Sequence, residues 1–282
     1  MIIKRYFSET NFERLNRDFS FLAESIRQSY GELDLALRNG YFNLYYKGNS
    51  LARVAFKPSG NYEATIHEKF LVETGIASDK RFKLAKKRDY FQLAVQQKNL
   101  RALFQSKYLK KLCSNIKKVH YGEEIAFEQS LITDNLSRED IIFIDRQVTD
   151  TGLKRKRMDL LALSQVKGSQ YRFLVVEVKL GNNPELRQQV SKQLAQYISH
   201  IEKYFKDYKE CYERHFSQKK QLGLIDVPKT ASIEIISGVK GLIIVGGYSK
   251  IGSAMIRDLK KNYPSLLVKQ FDYMLNRREI SG

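Results

Sequence analysis

Five side chains between residues 157 and 197 are of the types, and at the spacings, that could hold a cation against a phosphate: Asp159, Glu177, Lys179, Gln193 and Tyr197. Two apolar runs of strand length carry the first three. They flank a polar break from Ser164 to Gln170 with Lys167-Gly168 at its tip, so an antiparallel hairpin is the economical reading. In a hairpin folded about residue 168, paired residue numbers sum to 336, and 159 and 177 do so. Asp159 and Glu177 are therefore expected to face each other, with Cβ atoms roughly 5 Å apart.

Alternation along a strand puts Glu177 and Lys179 on one face and Val176 and Val178 on the other. Two carboxylates facing each other in an apolar sheet repel, and burying them without compensation costs several kcal/mol. A hard divalent cation is a natural compensation. Mg²⁺, with Mn²⁺ as a substitute, takes oxygen ligands from few protein carboxylates, so Asp159 and Glu177 are the expected ligands, helped by the Val178 backbone carbonyl. Lys179 then stands where it could orient a water nucleophile or stabilise charge developing on a phosphate. The plainer alternative is a buried salt bridge in which Lys179 only neutralises one acid.

The order and spacing of these residues resemble the PD-(D/E)XK nuclease superfamily: Asp159, then Glu177-Val-Lys179 at the end of an apolar strand, then Gln193-x-x-x-Tyr197. The last motif is similar to the Gln-and-Tyr helix of the RecB-like exonuclease branch. The resemblance covers about residues 121 to 250, and Met158 stands where the superfamily name has proline. It implies an α/β, restriction-endonuclease-like core of order α-β-β-β-α-β with a mixed central sheet, and Mg²⁺-dependent hydrolysis of phosphodiester bonds. On the helix expected from Glu123 to Asn135, Glu128 falls within the apolar arc of Ile125, Leu131 and Ile132. The resemblance implies that a glutamate here joins the metal site; Glu128 matches best, with Glu124 in reserve.

Around this core, Ile141 to Val148 reads as a strand and Leu242 to Val245 as a buried one. A long helix is expected from Pro184 or Glu185 to about Gln218, with Gln193 a catalytic candidate able to hydrogen-bond a metal-bound water, a carboxylate or substrate, and Tyr197 able to contact a phosphate. A helix from Ser253 to Asn262 and a strand from Leu266 to Tyr273 complete the pattern. The run Lys154-Arg155-Lys156-Arg157 precedes Asp159 directly; it is either a solvated loop or a holder of the scissile strand's phosphates.

The first 118 residues read as a separate α+β region, leaving 119–282 for the core. A helix is expected over residues 10 to 29, followed by an antiparallel meander: Glu32–Leu37, Tyr41–Tyr46, Leu51–Phe56 and Tyr62–His67, broken by Asn39-Gly40, Gly48-Asn49 and Ser59-Gly60-Asn61. From Asp79 to Lys118 thirteen cations face two acids, and amphipathic helices are expected to turn them outward. Lys86, Lys87, Arg88, Lys110 and Lys111 are the named candidates for a phosphate-backbone track, against the plainer reading of a solvated face.

A net charge of +18 across 282 residues suits a polyanion, nucleic acid first and an anionic membrane surface second. DNA ranks ahead of RNA, and cutting both strands of a duplex would be served by a homodimer. Two cysteines, Cys113 and Cys211, give no disulfide framework or thiolate metal site, and the four histidines are scattered. A reducing, cytoplasmic setting is expected, and no run reaches the length of a membrane span. The competing function is a non-catalytic nucleic-acid-binding or assembly protein on a nuclease-like core.

Overall fold

The computed structural model describes residues 2–119, 122–153, 156–228 and 231–272. The described residues divide into two compact units: those of 3–139 with 209–232, and residue 2 with those of 140–208 and 233–272. The boundary near residue 139 differs from the expected one at 118. Helix α5 (Glu123–Asp134) clusters with the first unit, through bonds such as Gln129 Nε2 donating to the Gly31 carbonyl at 2.8 Å.

In the first unit, α1 (Glu9–Arg27) turns Phe12, Leu15, Phe19, Leu22 and Ile26 inward at helical spacing. They pack on a sheet of order β1-β2-β3-β4-β6-β5, formed by Leu33–Arg38, Tyr41–Tyr46, Asn49–Phe56, Tyr62–His67, Tyr90–Val95 and Lys83–Lys87 as β1, β2, β3, β4, β6 and β5. Phe19 leaves helical geometry (φ −121°, ψ 15°), and its ring meets Phe42 and Tyr62 edge-on at 4.9 and 5.1 Å. Each such burial is worth about 1.5–3 kcal/mol. Lys47 and Gly48 both take positive φ, 46° and 79°, as a tight hairpin turn requires, so β3 begins at Asn49, two residues before its expected start.

The stretch 83–95 is not helical. Lys83–Lys87 and Tyr90–Val95 pair antiparallel, and the second strand also pairs with β4. Tyr-Phe-Gln-Leu-Ala-Val supplies the alternation of a strand, and Arg88 itself takes the left-handed conformation (φ 55°) that turns the chain. One turn, α2 (Glu68–Leu71), follows β4; after β6 come a 3₁₀ turn (Gln97–Asn99), α3 (Leu100–Leu103) and α4 (Ser106–Lys118), the last with Tyr108, Leu112 and Ile116 on its inner side. Tyr45 and Tyr46 are buried, which is packing.

The second unit is a mixed α/β layer. β7 (Ile141–Val148), β8 (Met158–Lys167) and β9 (Gln170–Leu180) run antiparallel, while β11 (Lys240–Gly246) runs parallel to both β9 and β12 (Leu267–Phe271). The order is β12-β11-β9-β8-β7, with the short β10 (Glu234–Ile235) beside the start of β9. The expected long helix is three pieces: a 3₁₀ turn (Pro184–Arg187), α6 (Gln189–Lys203) and α7 (Phe205–Gln221). Gln188 and Tyr204 interrupt it with non-helical backbone (φ −150°, ψ −26° and φ −111°, ψ 29°). α8 (Ser249–Asn262) starts four residues earlier than expected.

Candidate metal and phosphate site

β8 and β9 keep one register from Leu160↔Val176 to Gln165↔Tyr171, every pair summing to 336. Asp159 and Glu177 stand one residue beyond the last paired residues, Leu160 and Val176. Asp159 Oδ2 accepts the Val178 N–H at 3.0 Å, which fixes its side chain against β9. On the far side of β9, Ile243 and Val245 of β11 lie in register with Glu177 and Lys179.

Gly241, in the same row as Ile243 and Val245, shows which face this is. A Cβ there would stand 2.7 Å from Ile198 Cδ1 and 2.9 Å from Leu194 Cγ, so α6 rests directly on this face of the sheet. Glu177 and Lys179 therefore project to the side that α6 covers.

The Lys179 ammonium lies between three carboxylates, 3.6 Å from Asp159 Oδ2, 3.7 Å from Glu177 Oε2 and 3.6 Å from Glu185 Oε2. These are ion-pair distances, beyond ordinary hydrogen-bond length. A salt bridge to a single acid does not describe the arrangement. Glu185 is the member that sequence reasoning missed. Its N–H donates to Asn183 Oδ1 at 3.0 Å, and Pro184 fixes the turn, so an acid that read as a helix-start residue is delivered to Lys179.

Glu177 is fully buried, and no donor reaches either of its oxygens. Burial, with the neighbouring negative charge of Asp159 second, pushes its carboxyl up to about 9, and the Lys179 ammonium only partly offsets this. A buried carboxylate with two unused acceptors, opposite a second carboxylate, is a donor set that fits a hard divalent cation. Among the described residues no group of three or more His, Cys, Asp or Glu side chains is spaced to hold a metal, so the fit rests on Asp159 and Glu177. Glu128 is buried on α5 in the first unit, and Glu124 is on the same helix; the pair described here is built from the second unit alone.

Tyr197 departs from the expected phosphate contact. Its ring is buried (1% exposed), and its hydroxyl donates to the Arg157 carbonyl and accepts from Gln193 Nε2, both at 3.0 Å. Burial raises its phenol pKa above the usual value. With its one proton committed, Tyr197 braces the entry to β8, and Gln193 braces Tyr197. The loop before β8 has a second anchor in Asp150, which accepts from Tyr208 Oη at 2.6 Å, pairs with His200 Nε2 at 2.7 Å and caps the N–H groups of Gly152 and Leu153.

No protein-family model, characterised protein or solved structure matches this chain. The geometry therefore has to carry the functional reading.

Of the basic candidates, Lys156 and Arg157 are exposed, with Lys156 Nζ donating to Gln196 Oε1; Lys154 and Arg155 lie outside the described residues. Lys86 pairs with Glu68 at 2.7 Å, and Lys111 donates to the Glu73 carbonyl at 3.1 Å. Lys87 and Arg88 are exposed around the β5–β6 turn, and Lys110 on α4. These residues thus sit on a hairpin and one helix rather than on a run of basic helices. Among the described residues no helix is long and apolar enough to cross a membrane.

Proposed function

We propose that the second unit carries the active site of a PD-(D/E)XK-type nuclease that hydrolyses phosphodiester bonds in a divalent-cation-dependent reaction, with DNA ahead of RNA as substrate. One observation carries the reading: Asp159 and Glu177, on adjacent strands, both come within 3.6–3.7 Å of the Lys179 ammonium, and the buried oxygens of Glu177 are unsatisfied. The run β7-β8-β9-α6, with α6 covering the sheet face of Glu177 and Lys179, supports it, as does the +18 charge.

Asp159 and Glu177, with the Val178 carbonyl, would hold Mg²⁺ or Mn²⁺, which supplies Lewis-acid polarisation of the phosphoryl group. Glu177 would have to give up its proton to hold the cation, so occupancy would be favoured as pH rises. The Lys179 ammonium, held among the carboxylates, orients the attacking water and offsets negative charge on the phosphate; as the water's oxygen bonds to phosphorus its proton passes to solvent, and the leaving oxygen takes up a proton from solvent as its bond breaks. Glu185, a little over one-third exposed, keeps Lys179 tethered at the mouth of the site. Tyr197 positions the strand end that presents Asp159, and Gln193, through its Nε2, braces Tyr197.

The test is incubation of the purified protein with linear, circular and single-stranded DNA and with RNA, in Mg²⁺ or EDTA, beside Asp159→Ala. Metal-dependent products that vanish in the variant, with binding retained, are expected. Binding that persists in EDTA with no metal-dependent product from the wild type on any substrate would instead favour the non-catalytic binding protein.

A further inference from the structure

At one end of the first unit's sheet, a cavity of ≈ 520 Å³ is lined by four cations, Lys80, Arg81, Lys83 and Lys98, together with the amides of Asn61 and Gln96. No acidic side chain lines it. Strand pairing explains the convergence. Lys83 opens β5 opposite Ala94, Tyr62 opens β4 opposite Val95, and the 3₁₀ turn Gln97–Asn99 leaves β6 at the same end.

The frame is braced. Asp79 holds the Arg81 guanidinium through Nε at 3.0 Å and Nη2 at 2.6 Å, and receives the Tyr108 hydroxyl at 2.6 Å. The Arg81 guanidinium keeps the Asp79 carboxyl well below the usual range. Arg14 donates to the carbonyls of Lys57 and Gly60, at 3.2 and 3.0 Å, which fixes the loop carrying Asn61. Lys80, Lys83 and Lys98 are exposed and have no ion-pair partner among the described residues.

Three ammonium groups gathered without counter-charge repel one another, and an anion relieves that repulsion. The volume suits a small ligand or a chain end better than the continuous groove that a duplex backbone needs. A phosphomonoester brings about −1.5 to −2 charges at neutral pH and three acceptor oxygens, more than an internal diester offers. We infer that this cavity binds the terminal phosphate of a nucleotide, either free or at the end of a polynucleotide strand. The inference stands on the first unit alone and does not depend on the cleavage chemistry proposed for the second.

The full-length protein in EDTA is titrated with ATP and with a single-stranded oligonucleotide carrying a 5′-phosphate, a 3′-phosphate or neither. A terminally phosphorylated strand is expected to bind at least about tenfold more tightly than the unphosphorylated one. Lys83→Glu with Lys98→Glu removes that preference. Lys260→Glu with Lys261→Glu, the same charge reversal on α8, leaves it in place. ATP binding that is lost in the cavity variant, with no preference among the oligonucleotides, assigns the site to the free nucleotide. Should charge reversal impair folding, Lys83→Ala with Lys98→Ala gives the same readout. Absence of both ATP binding and end preference, or equal losses in the two charge-reversed variants, overturns the inference.

Discussion

Glu177→Gln is expected to stabilise the protein and to abolish its response to Mg²⁺. In the unfolded chain this carboxyl ionises from about pH 4.5, whereas in the folded protein burial and Asp159 hold its proton to about pH 9. Below the lower value both states carry the proton, and the group contributes nothing to pH dependence. Between the two values the folded state binds more protons than the unfolded one, so stability falls as pH rises, by about 1.4 kcal/mol per pH unit. By pH 7 the wild type has lost about 3 kcal/mol that the glutamine variant, which has no proton to lose, retains. Mg²⁺, on the proposed site, is expected to restore stability to the wild type by binding only the folded state, and to restore none to the variant. Amide hydrogen exchange along β9 between pH 5 and 9, in EDTA and in excess Mg²⁺, reads the second unit without interference from the first. A variant whose protection falls with pH as steeply as the wild type's would refute the assignment of Glu177 as the buried, proton-retaining member of the pair.

Two further substitutions probe what positions the site. Tyr197→Phe removes the hydroxyl that joins Gln193 to the Arg157 carbonyl; a loss of about 1–2 kcal/mol in denaturant unfolding is expected. Cleavage should slow while the metal concentration needed for half-activity stays the same, since neither carboxylate proposed to hold the metal is touched. Gly241→Val drives a side chain into Leu194 and Ile198, so α6 must lift; a cost of about 1–3 kcal/mol, read by thermal unfolding, should come with loss of metal-dependent cleavage.

The hairpin that presents Asp159 and Glu177 was legible because two apolar runs and a Lys167-Gly168 tip leave few ways to fold, and a single sum fixes the pairing. Four strands of the first sheet were legible for a similar reason, each break carrying Gly with Asn or Ser. The β5–β6 hairpin was not. Its turn contains no glycine, Arg88 adopting positive φ itself, and the surrounding lysines mask the alternation. Nor did local sequence mark the break at Tyr204, where neither Gly nor Pro appears. Glu185 was overlooked because an acid after proline is a common helix-start signal, and only the folded 3₁₀ turn brings it to Lys179. The grouping of α5 and residues 209–232 with the first unit rests on contacts between distant parts of the chain, such as Phe7 N–H donating to Gln218 Oε1 at 2.9 Å. No local pattern encodes contacts of that range.

The ammonium of Lys179 between Asp159, Glu177 and Glu185 bears on how the protein matures. Domains whose acidic or thiolate ligands have no internal counter-ion remain unfolded until metal arrives. Here a covalently attached positive charge, together with the proton kept on Glu177, is already in place when the strands close. On the metal-binding role proposed for Asp159 and Glu177, the newly made chain would reach its native state where free divalent ions are scarce, and would meet them already assembled.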